Sequence, residues 1–253
     1  MNIEGVSAAV TGGASGLGEA TIRELARGGA KVAIFDRDAE RGEKVAGEVG
    51  GIFVACDVAD EDSMIAAFKT AADANGPVRI LVNCAGIGPA ARTVSKGVAH
   101  SLKNFRKIID VNLIGSFNAL RLAAEAMVAQ DALDSGERGV IINTASIAAY
   151  EGQIGQAAYS ASKGGVVGMT LPIARDLAQY GVRVVTIAPG LFETPLLATL
   201  PDAAKASLSA GVPFPSRLGI PAEYATMARF ICENSMLNGE TIRLDGALRM
   251  APK

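Results

Sequence analysis

The chain has 253 residues, of which 49% are hydrophobic and 20% charged, with a formal net charge of −2. This length and apolar content are enough to bury a sizeable core, which favours one large α/β domain over residues 1–253 and excludes disorder. The small net charge gives no general attraction to nucleic acid or to an anionic membrane surface, so we expect neither as a partner.

Short apolar runs alternate with helix-length segments along the chain. The predicted strands are Val6–Thr11, Lys31–Phe35, Ile52–Cys56, Arg79–Asn83, Val140–Thr144, Val182–Ala188 and Thr241–Leu244. This alternation predicts βαβ units, and hence a seven-stranded parallel sheet with helices on both faces, the doubly wound Rossmann fold. Two irregular segments, Ile87–Ser101 and Gly190–Pro215, follow predicted strands at their carboxyl ends, where open α/β sheets bind ligands.

A glycine-rich turn separates the first predicted strand from a helix, in the sequence TGGASGLG. Its spacing, with Gly12, Gly16 and Gly18, is Gly-x3-Gly-x-Gly rather than the usual GxGxxG, so alone it indicates a nucleotide only weakly. Glycines here allow a tight turn and let a pyrophosphate approach a helix N-terminus. The turn therefore predicts a dinucleotide site, supported by the carboxylate that follows.

Asp36 ends the second predicted strand, eighteen residues past Gly18. A carboxylate there accepts hydrogen bonds from an adenosine ribose and repels a 2′-phosphate, which predicts NAD rather than NADP. Arg37, the next residue, would soften that rejection. The competing interpretation of Asp36 is a solvated loop carboxylate.

Several other residues have an ordinary structural interpretation. Cys56, Cys84 and Cys232 are widely spaced without a CxxC pair, which favours reduced, mostly buried thiols over disulfides or a metal site. His100 is the only histidine and lies in a polar loop without an apparent Asp orienter, so no Ser–His–Asp triad is expected. Phe192, Phe214, Leu196 and Leu197 are interpreted as ordinary packing.

The sequence also bears on where the protein is found. No apolar run reaches the roughly 18 residues of a membrane span. The first strand pattern begins near Ser7, which leaves no room for a signal or transit peptide. We therefore expect a cytoplasmic protein.

Tyr159 and Lys163 stand four positions apart in AAYSASKGG, a segment otherwise made of small residues. On a helix, positions i and i+4 share a face, so a phenol and an ammonium would point to the same side. A nearby cation favours phenolate, and we expect Lys163 to lower the pKa of Tyr159 toward a general acid/base value. On spacing alone, an exposed pair packing stem on ring is the commoner arrangement.

Two further polar residues complete the candidate set. Ser146 follows a predicted strand and would hold a substrate oxygen beside Tyr159, although alone it is typical of a strand-end cap. Asn112 shares a predicted helical stripe with Phe105 and Ile109, where a buried amide needs partners, and alone it is typical of a helix bend.

Together these motifs resemble the short-chain dehydrogenase/reductase family over essentially the whole chain. The matching elements are TGGASGLG, Asp57 and Val58 after the third strand, NCAG at Asn83–Gly86, Asn112 in DVN, Ser146 in NTAS, Tyr159 with Lys163, and PGLFET at Pro189–Thr194. Leu17 replaces a common isoleucine in the glycine motif, a departure that we expect to be harmless.

The resemblance implies roles for specific residues. The catalytic set would be Asn112, Ser146, Tyr159 and Lys163. Lys163 would also bind the nicotinamide ribose, and Asn112 would hold a water that relays protons through Lys163. The NAD-binding residues would be Gly12, Ser15, Gly16, Leu17, Gly18, Asp36, Asp57, Val58, Asn83, Ala85, Gly86, Tyr159, Lys163, Pro189, Gly190, Phe192 and Thr194, with no metal.

The resemblance also implies the reaction, which is the interconversion of a secondary alcohol and a ketone. Long stretches around Ser146 and Pro189 resemble family members that act on 3-hydroxyacyl-CoA. The alternatives are steroid alcohols, 3-oxoacyl-carrier-protein reduction, which usually uses NADPH and so conflicts with Asp36, and a non-enzymatic NAD-binding scaffold.

Three further expectations concern segments rather than single residues. The family implies a homotetramer with the Leu102–Gln130 and Ala157–Tyr180 helices and the C-terminal strand in its interfaces. The segment Gly190–Pro215 is expected to cover the substrate as a lid. Arg92, Lys96 and Lys205 would meet CoA phosphates, unless they are simply solvated.

Overall fold

The structure is a computed structural model that describes residues 1–195 and 208–252. Seven parallel strands form its central sheet. The strands are β1 (Ser7–Thr11), β2 (Lys31–Asp36), β3 (Ile52–Ala55), β4 (Ile80–Asn83), β7 (Gly139–Thr144), β8 (Val182–Pro189) and β9 (Thr241–Leu244). Two short strands, β5 (Val94–Ser95) and β6 (Val98–Ala99), form a separate hairpin. All seven predicted strands are confirmed, with ends shifted by at most one residue.

Helices cover both faces of the sheet. They are α1 (Gly16–Arg27), α2 (Ala39–Val49), α3 (Glu61–Asn75), α4 (Leu102–Ile109), α5 (Gly115–Val128), α6 (Ala157–Ala178) and α7 (Pro221–Glu233). One hydrophobic core lies under α1, α2 and α7, and a second lies under α3, α5 and α6. In the part of the chain that the structure describes, no helix is long and apolar enough to cross a membrane.

The strand order places the candidate site. The sheet runs β3-β2-β1-β4-β7-β8-β9, so the chain winds outward in one direction from β1 and in the other from β4. Ligands of doubly wound sheets bind in the crevice beyond the carboxyl ends of the strands at this switch point. The glycine turn after β1 and the NCAG segment at the end of β4 both lie there.

A row of polar side chains crosses the buried middle of the sheet. Thr11, Asn83, Asn143 and Thr186 are register partners on β1, β4, β7 and β8, and each is at most 2% exposed. The Asn83 side chain joins three of them, since Oδ1 accepts from Thr11 Oγ1 at 3.3 Å and Nδ2 donates to Asn143 Oδ1 at 3.0 Å. We call these four residues the polar row.

The helix predicted over Leu102–Gln130 is interrupted. Between α4 and α5 the residues Asp110–Ile114 form a π-helical turn. A π turn adds one residue to a helical turn and often marks a functional site. Asn112 lies at its centre and is fully buried, so the predicted burial of this amide is confirmed.

The first segment predicted to be irregular contains the β5–β6 hairpin. Lys96 and Gly97 form its two-residue loop, with φ of 51° and 76°. Positive φ at both loop positions is the geometry of the tight hairpin turn that suits the twist of paired strands.

Candidate active site

The glycine turn is built for close backbone contact. Gly12 has φ 67°, and a Cβ there would lie 2.7 Å from the backbone nitrogen of Ala85. A Cβ on Gly18 would lie 2.1 Å from the carbonyl oxygen of Gly12. Only glycine fits at both places, so the N-terminus of α1 stays open. Ser15 precedes that helix, and its side chain makes no capping bond to the first turn.

Asp36 is fixed against this turn. Its Oδ2 accepts from the backbone N–H of Ala14 at 3.0 Å. Its Oδ1 accepts from the N–H groups of Arg37 and Asp38 at 2.7 and 3.1 Å. The carboxylate therefore has a definite place beside the glycine turn, unlike a freely solvated loop carboxylate.

Two other predicted NAD-binding residues, Asp57 and Val58, follow β3 close to Asp36. Asp57 Oδ2 lies 3.4 Å from Nη1 of Arg37, whose side chain is 72% exposed. Val58 packs against α5, where a Cβ on Gly115 would lie 2.6 Å from Val58 Cγ2. Arg37 therefore has a carboxylate partner already.

The NCAG segment borders the same crevice. Ala85 N–H donates to Thr11 Oγ1 at 3.3 Å, and a Cβ on Gly86 would lie 3.5 Å from Lys163 Nζ. Asn83 differs from its neighbours, because its side chain is committed to the polar row and to the Ser116 carbonyl at 3.2 Å. A bound molecule would meet the backbone of this segment rather than the Asn83 amide.

Asn112 is held in the π turn by several bonds. Its Oδ1 accepts from Ile87 N–H at 2.8 Å, and its Nδ2 donates to Ile87 O at 2.9 Å and Ser162 Oγ at 3.0 Å. Its own carbonyl oxygen accepts from Ser116 Oγ at 2.7 Å. The amide thus joins the segment after β4 to α6.

Ser146 combines the cap role and the predicted site role. It lies two residues past β7, and its Oγ accepts from Ala148 N–H at 3.1 Å at the start of a short 3-10 helix, Ile147–Ala149. Burial raises the pKa of Tyr159, and the neighbouring Ser146 side chain acts in the opposite direction. Ser146 and Tyr159 are therefore brought together.

Tyr159 lies in the first turn of α6, with its ring against the segment after β4. A Cβ on Gly88 would lie 3.4 Å from the ring. Lys163 is one helical turn on and 4% exposed. Its Nζ donates to the Thr144 carbonyl at 2.7 Å and lies 5.8 Å from the Tyr159 ring centroid. The shared helical face is confirmed.

The prediction that Lys163 lowers the pKa of Tyr159 is wrong, because that pKa is raised. Burial raises the pKa of Tyr159, and the neighbouring Ser146 side chain opposes the shift only in part. Burial also lowers the pKa of Lys163 from 10.5 to about 8, which the neighbouring Cys84 partly offsets. The same desolvation that brings the pair together thus weakens the cation and disfavours phenolate.

The first residues of the second irregular segment reach the glycine turn. A Cβ on Gly16 would lie 3.3 Å from Pro195 Cδ and 3.7 Å from Thr194. Gly190 lies against β9, with its N–H donating to Leu244 O at 2.9 Å. Leu191 and Phe192 share a cavity of about 120 Å³ with Val212 and Pro215. The residues from Pro189 onward thus bring Thr194 next to the glycine turn.

Some residues of this segment lie outside the described part of the chain, namely Leu196, Leu197, Pro201 and Lys205. Of the aromatic pair interpreted as packing, Phe192 is buried against Gly219. Phe214 is 83% exposed, so that interpretation is wrong for it. A single phenylalanine between prolines carries no periodicity from which its exposure could be predicted.

Sequence reasoning missed a cluster of three residues that includes the carbonyl partner of Lys163. They are Cys84, Thr144 and Tyr224, whose side chains bond to one another. Thr144 and Cys84 were visible as neighbours of predicted motifs. Tyr224 lies on α7 and had no local signal. The three cysteines are free, with Cys84 half-buried and the other two buried, so the prediction of mostly buried thiols is confirmed.

A doubly wound sheet with a glycine turn at its switch point, and with tyrosine, serine and lysine gathered beside it, defines a dehydrogenase that uses a nicotinamide cofactor. The chain belongs to the short chain dehydrogenase family, whose model matches residues 7–205. The predicted family and the prediction of an oxidoreductase are thereby confirmed.

Similar proteins extend over the full chain. The chain is 55% identical to 3-hydroxyacyl-CoA dehydrogenase type-2 of Bos taurus, over 99% of this chain and 98% of that protein. It is 54% identical to the Drosophila melanogaster protein of the same name, over 96% and 97%. The crystal structure of 3-hydroxyacyl-CoA dehydrogenase type-2 from Mycobacterium avium superimposes with a TM-score of 0.96 at 47% identity, covering 99% of this chain and 98% of that one.

Proposed function

We propose that the protein is an NAD-dependent dehydrogenase that interconverts a 3-hydroxyacyl-CoA and its 3-oxoacyl-CoA. The observation that carries the proposal is the meeting of Tyr159, Ser146 and Lys163 beside the glycine turn, in a chain whose similar proteins are named for this activity. The proposal includes a homotetramer located in the cytoplasm. The three unpaired thiols of each chain suit a reducing compartment.

In this proposal the residues divide the chemistry among them. Tyr159 gives the proton to, or takes it from, the reacting oxygen, and Ser146 holds that oxygen at hydrogen-bond distance from the phenol. Asn112 anchors the π turn beside Lys163. The bound dinucleotide supplies or accepts the hydride. Gly12, Gly18 and Asp36 would hold its adenosine half, and Lys163 its nicotinamide ribose.

NAD is preferred over NADP in this proposal because of the groups around Asp36. A 2′-phosphate would meet a carboxylate that three backbone N–H groups hold in place. The adjacent cation Arg37 is paired with Asp57. Transferring Arg37 to a phosphate would leave Asp57 without this partner.

A local basic segment supports a CoA thioester as the substrate. A Cβ on Gly88 would lie 3.4 Å from the Tyr159 ring, and the basic segment begins four residues later. Between residues 92 and 107 there are no acidic side chains and five exposed basic ones, namely Arg92, Lys96, Lys103, Arg106 and Lys107. A groove of about 480 Å³ is lined in part by Arg92, Ser95 and Asn104. Clustered cations next to the site would bind the phosphates of CoA.

The test compares acetoacetyl-CoA with acetoacetyl-N-acetylcysteamine, which has the same reacting group but no phosphates, and with hydroxysteroids. We expect wild-type kcat/KM to be highest for the CoA thioester with NADH. Arg92→Glu with Lys96→Glu should raise KM for acetoacetyl-CoA by about tenfold or more and leave the N-acetylcysteamine thioester within about twofold.

Lys31→Glu is the control for reversing a basic charge, at half the charge change of the double variant, because Lys31 lies at the amino end of β2, on the opposite edge of the sheet from the carboxyl ends of the strands. A steroid turned over faster than every thioester would replace the proposed substrate. NADH binding without turnover of any carbonyl compound would favour a scaffold.

A further inference from the structure

Three polar side chains from different elements form a closed triangle that includes Thr144, whose carbonyl oxygen accepts from Lys163 Nζ. Thr144 ends β7, Cys84 directly follows β4, and Tyr224 lies on α7. The Tyr224 hydroxyl is 2.6 Å from Thr144 Oγ1, and Cys84 Sγ is 3.7 Å from each oxygen. We call these three residues the Tyr224 ring.

The hydrogen bonds of the ring run in one direction. Thr144 Oγ1 donates to Cys84 Sγ, and Cys84 Sγ donates to the Tyr224 hydroxyl. The remaining bond, from Tyr224 to Thr144 Oγ1, closes the circle, since each group then donates once and accepts once. Burial raises the pKa of both Cys84 and Tyr224, which keeps these donors protonated.

The ring lies where packing alone would favour apolar residues. Tyr224 is fully buried in the hydrophobic core under α1 and α7, and Cys84 packs against the same core. Burying polar groups there has a desolvation cost that only complete hydrogen bonding offsets. A phenylalanine at position 224 would fill nearly the same space without that requirement.

The ring is joined to Lys163 through one residue. Thr144 uses its hydroxyl in the ring and its carbonyl oxygen to accept from Lys163 Nζ at 2.7 Å. Fixing the Thr144 side chain on one side of β7 therefore fixes the carbonyl that receives the ammonium. Cys84 likewise ties the ring to the segment that contains Gly86, which borders Nζ.

We propose that Tyr224 is a positioning residue for Lys163, acting through Thr144 to set where the ammonium stands when the cofactor binds. The inference rests on the proposed function, because it takes Lys163 to bind the nicotinamide ribose. Tyr224 itself touches neither substrate nor cofactor in this proposal.

The test uses Tyr224→Phe, Thr144→Val and Thr144→Ser in the full-length protein. NADH affinity is measured by fluorescence titration, and kcat and thioester KM with acetoacetyl-CoA. We expect Tyr224→Phe and Thr144→Val to weaken NADH binding by about 3- to 10-fold and to lower kcat to a similar extent, the range for one buried hydrogen bond. Thioester KM should stay within about twofold of wild type. Thr144→Ser, which keeps the hydroxyl, should retain wild-type NADH affinity and kcat.

Thr170→Val is the matched control. Thr170 is as deeply buried, and its hydroxyl is also 2.6 Å from another hydroxyl, that of Thr186, but it has no bond to the Lys163 carbonyl partner. Thr170→Val should lose about as much thermal stability as Tyr224→Phe, while its NADH affinity and kcat stay within about twofold of wild type.

Two results would overturn the inference. One is a Tyr224→Phe protein with wild-type NADH affinity and kcat, and the other is a Thr170→Val protein with the same losses as Tyr224→Phe. If Tyr224→Phe does not fold, Thr144→Val against Thr144→Ser decides the matter. A wild type that binds NADH but reduces no 3-oxoacyl-CoA contradicts only the proposed function, since the binding titration still tests the ring.

Discussion

The backbone N–H of Ala14 donates a 3.0 Å hydrogen bond to Oδ2 of Asp36. This bond joins the glycine turn after β1 to the end of β2, so the two parts of the proposed dinucleotide site keep a fixed spacing. Cofactor choice and turn geometry are therefore coupled, and a substitution at Asp36 has to preserve an acceptor for Ala14 if it is to report on charge alone.

Asp36→Asn keeps an acceptor for Ala14 but replaces the oxygen that accepts from Arg37 and Asp38 with an amide nitrogen, so its melting temperature is measured alongside to separate the loss of these bonds from the loss of charge. We expect the wild type to prefer NADH over NADPH by at least about 10-fold in kcat/KM, or roughly 1.4 kcal/mol, and Asp36→Asn to lose most of that preference. Asp38→Asn removes a nearby charge and should leave the ratio unchanged. Equal kcat/KM for both cofactors in the wild type would refute the role of Asp36.

Tyr159→Phe removes one hydroxyl and leaves the ring packing against Gly88. We expect kcat for acetoacetyl-CoA reduction to fall by at least about 100-fold, near 2.7 kcal/mol of transition-state stabilisation, with NADH affinity within a few-fold. Tyr180→Phe, beyond the end of α6, is the control. A variant that keeps more than a tenth of wild-type kcat, with chemistry shown to be rate-limiting by a deuteride isotope effect, would mean that Tyr159 is not the proton donor.

Lys163→Met tests the cost of burying an ammonium. Burial lowers the pKa of Lys163 from 10.5 to about 8, so between these values the unfolded chain binds more protons than the folded protein. The free energy of unfolding of the wild type should therefore rise with pH over this window, whereas below it the full penalty is present. Relative to Lys163→Met, we expect a gain of about 3 kcal/mol from pH 7 to above pH 10.

Urea unfolding of the cofactor-free proteins at several pH values measures this difference. Lys69→Met is the control, because Lys69 is 77% exposed and its removal should shift stability by a constant amount. If the free energies of unfolding of the wild type and Lys163→Met changed in parallel with pH, folding would not shift the pKa of Lys163.

Gly18→Ala should disrupt the glycine turn, because its Cβ would lie 2.1 Å from the Gly12 carbonyl oxygen. We expect a loss of about 1–3 kcal/mol in stability and at least about 10-fold weaker NADH binding. Gly47→Ala is the matched control: it lies inside α2 with nothing within 4 Å of the added carbon, and should stabilise by about 0.5–1 kcal/mol. Equal melting temperatures and NADH affinities for the two variants would contradict the steric argument.

The proposed homotetramer is tested by mass in solution. Ile114 and Phe117 near the start of α5 are 49% and 48% exposed, and Leu171 on α6 is 44% exposed. Phe117→Glu should lower the mass measured by light scattering at micromolar concentration, because it buries a charge in the proposed interface. Ile65→Glu, on α3 with 47% exposure, should keep the wild-type mass. A monomeric wild type would refute the assembly.

Much of the fold could be predicted because parallel strands buried on both faces appear as short apolar runs between helical periods. The ends of β1 and β7 were each located to within one residue. The meeting of Tyr159 with Lys163 followed from helical spacing alone. Ser146 came from a motif at a strand end, and its contact with Tyr159 needed the fold.

Other features have no local signature. The π turn at Asp110–Ile114 escapes a search that assumes a constant helical period, and the two-residue strands of the hairpin are too short for an alternating pattern. The Tyr224 ring joins residues 60 and 80 positions from Thr144, so only the folded chain brings it together. Burial around Tyr159 likewise reversed the expected direction of its pKa.

The polar row has a consequence for how the sheet assembles. Strands such as β4 and β7 are apolar along most of their length and buried on both faces, so a slip of two residues would still place apolar side chains against apolar neighbours. Such a slip would set Asn83 opposite Ile141 instead of Asn143 and bury an amide without its partner, at about 1–3 kcal/mol for each unsatisfied group. Thr11, Asn83 and Asn143 therefore favour the native strand register over shifted pairings as the sheet folds.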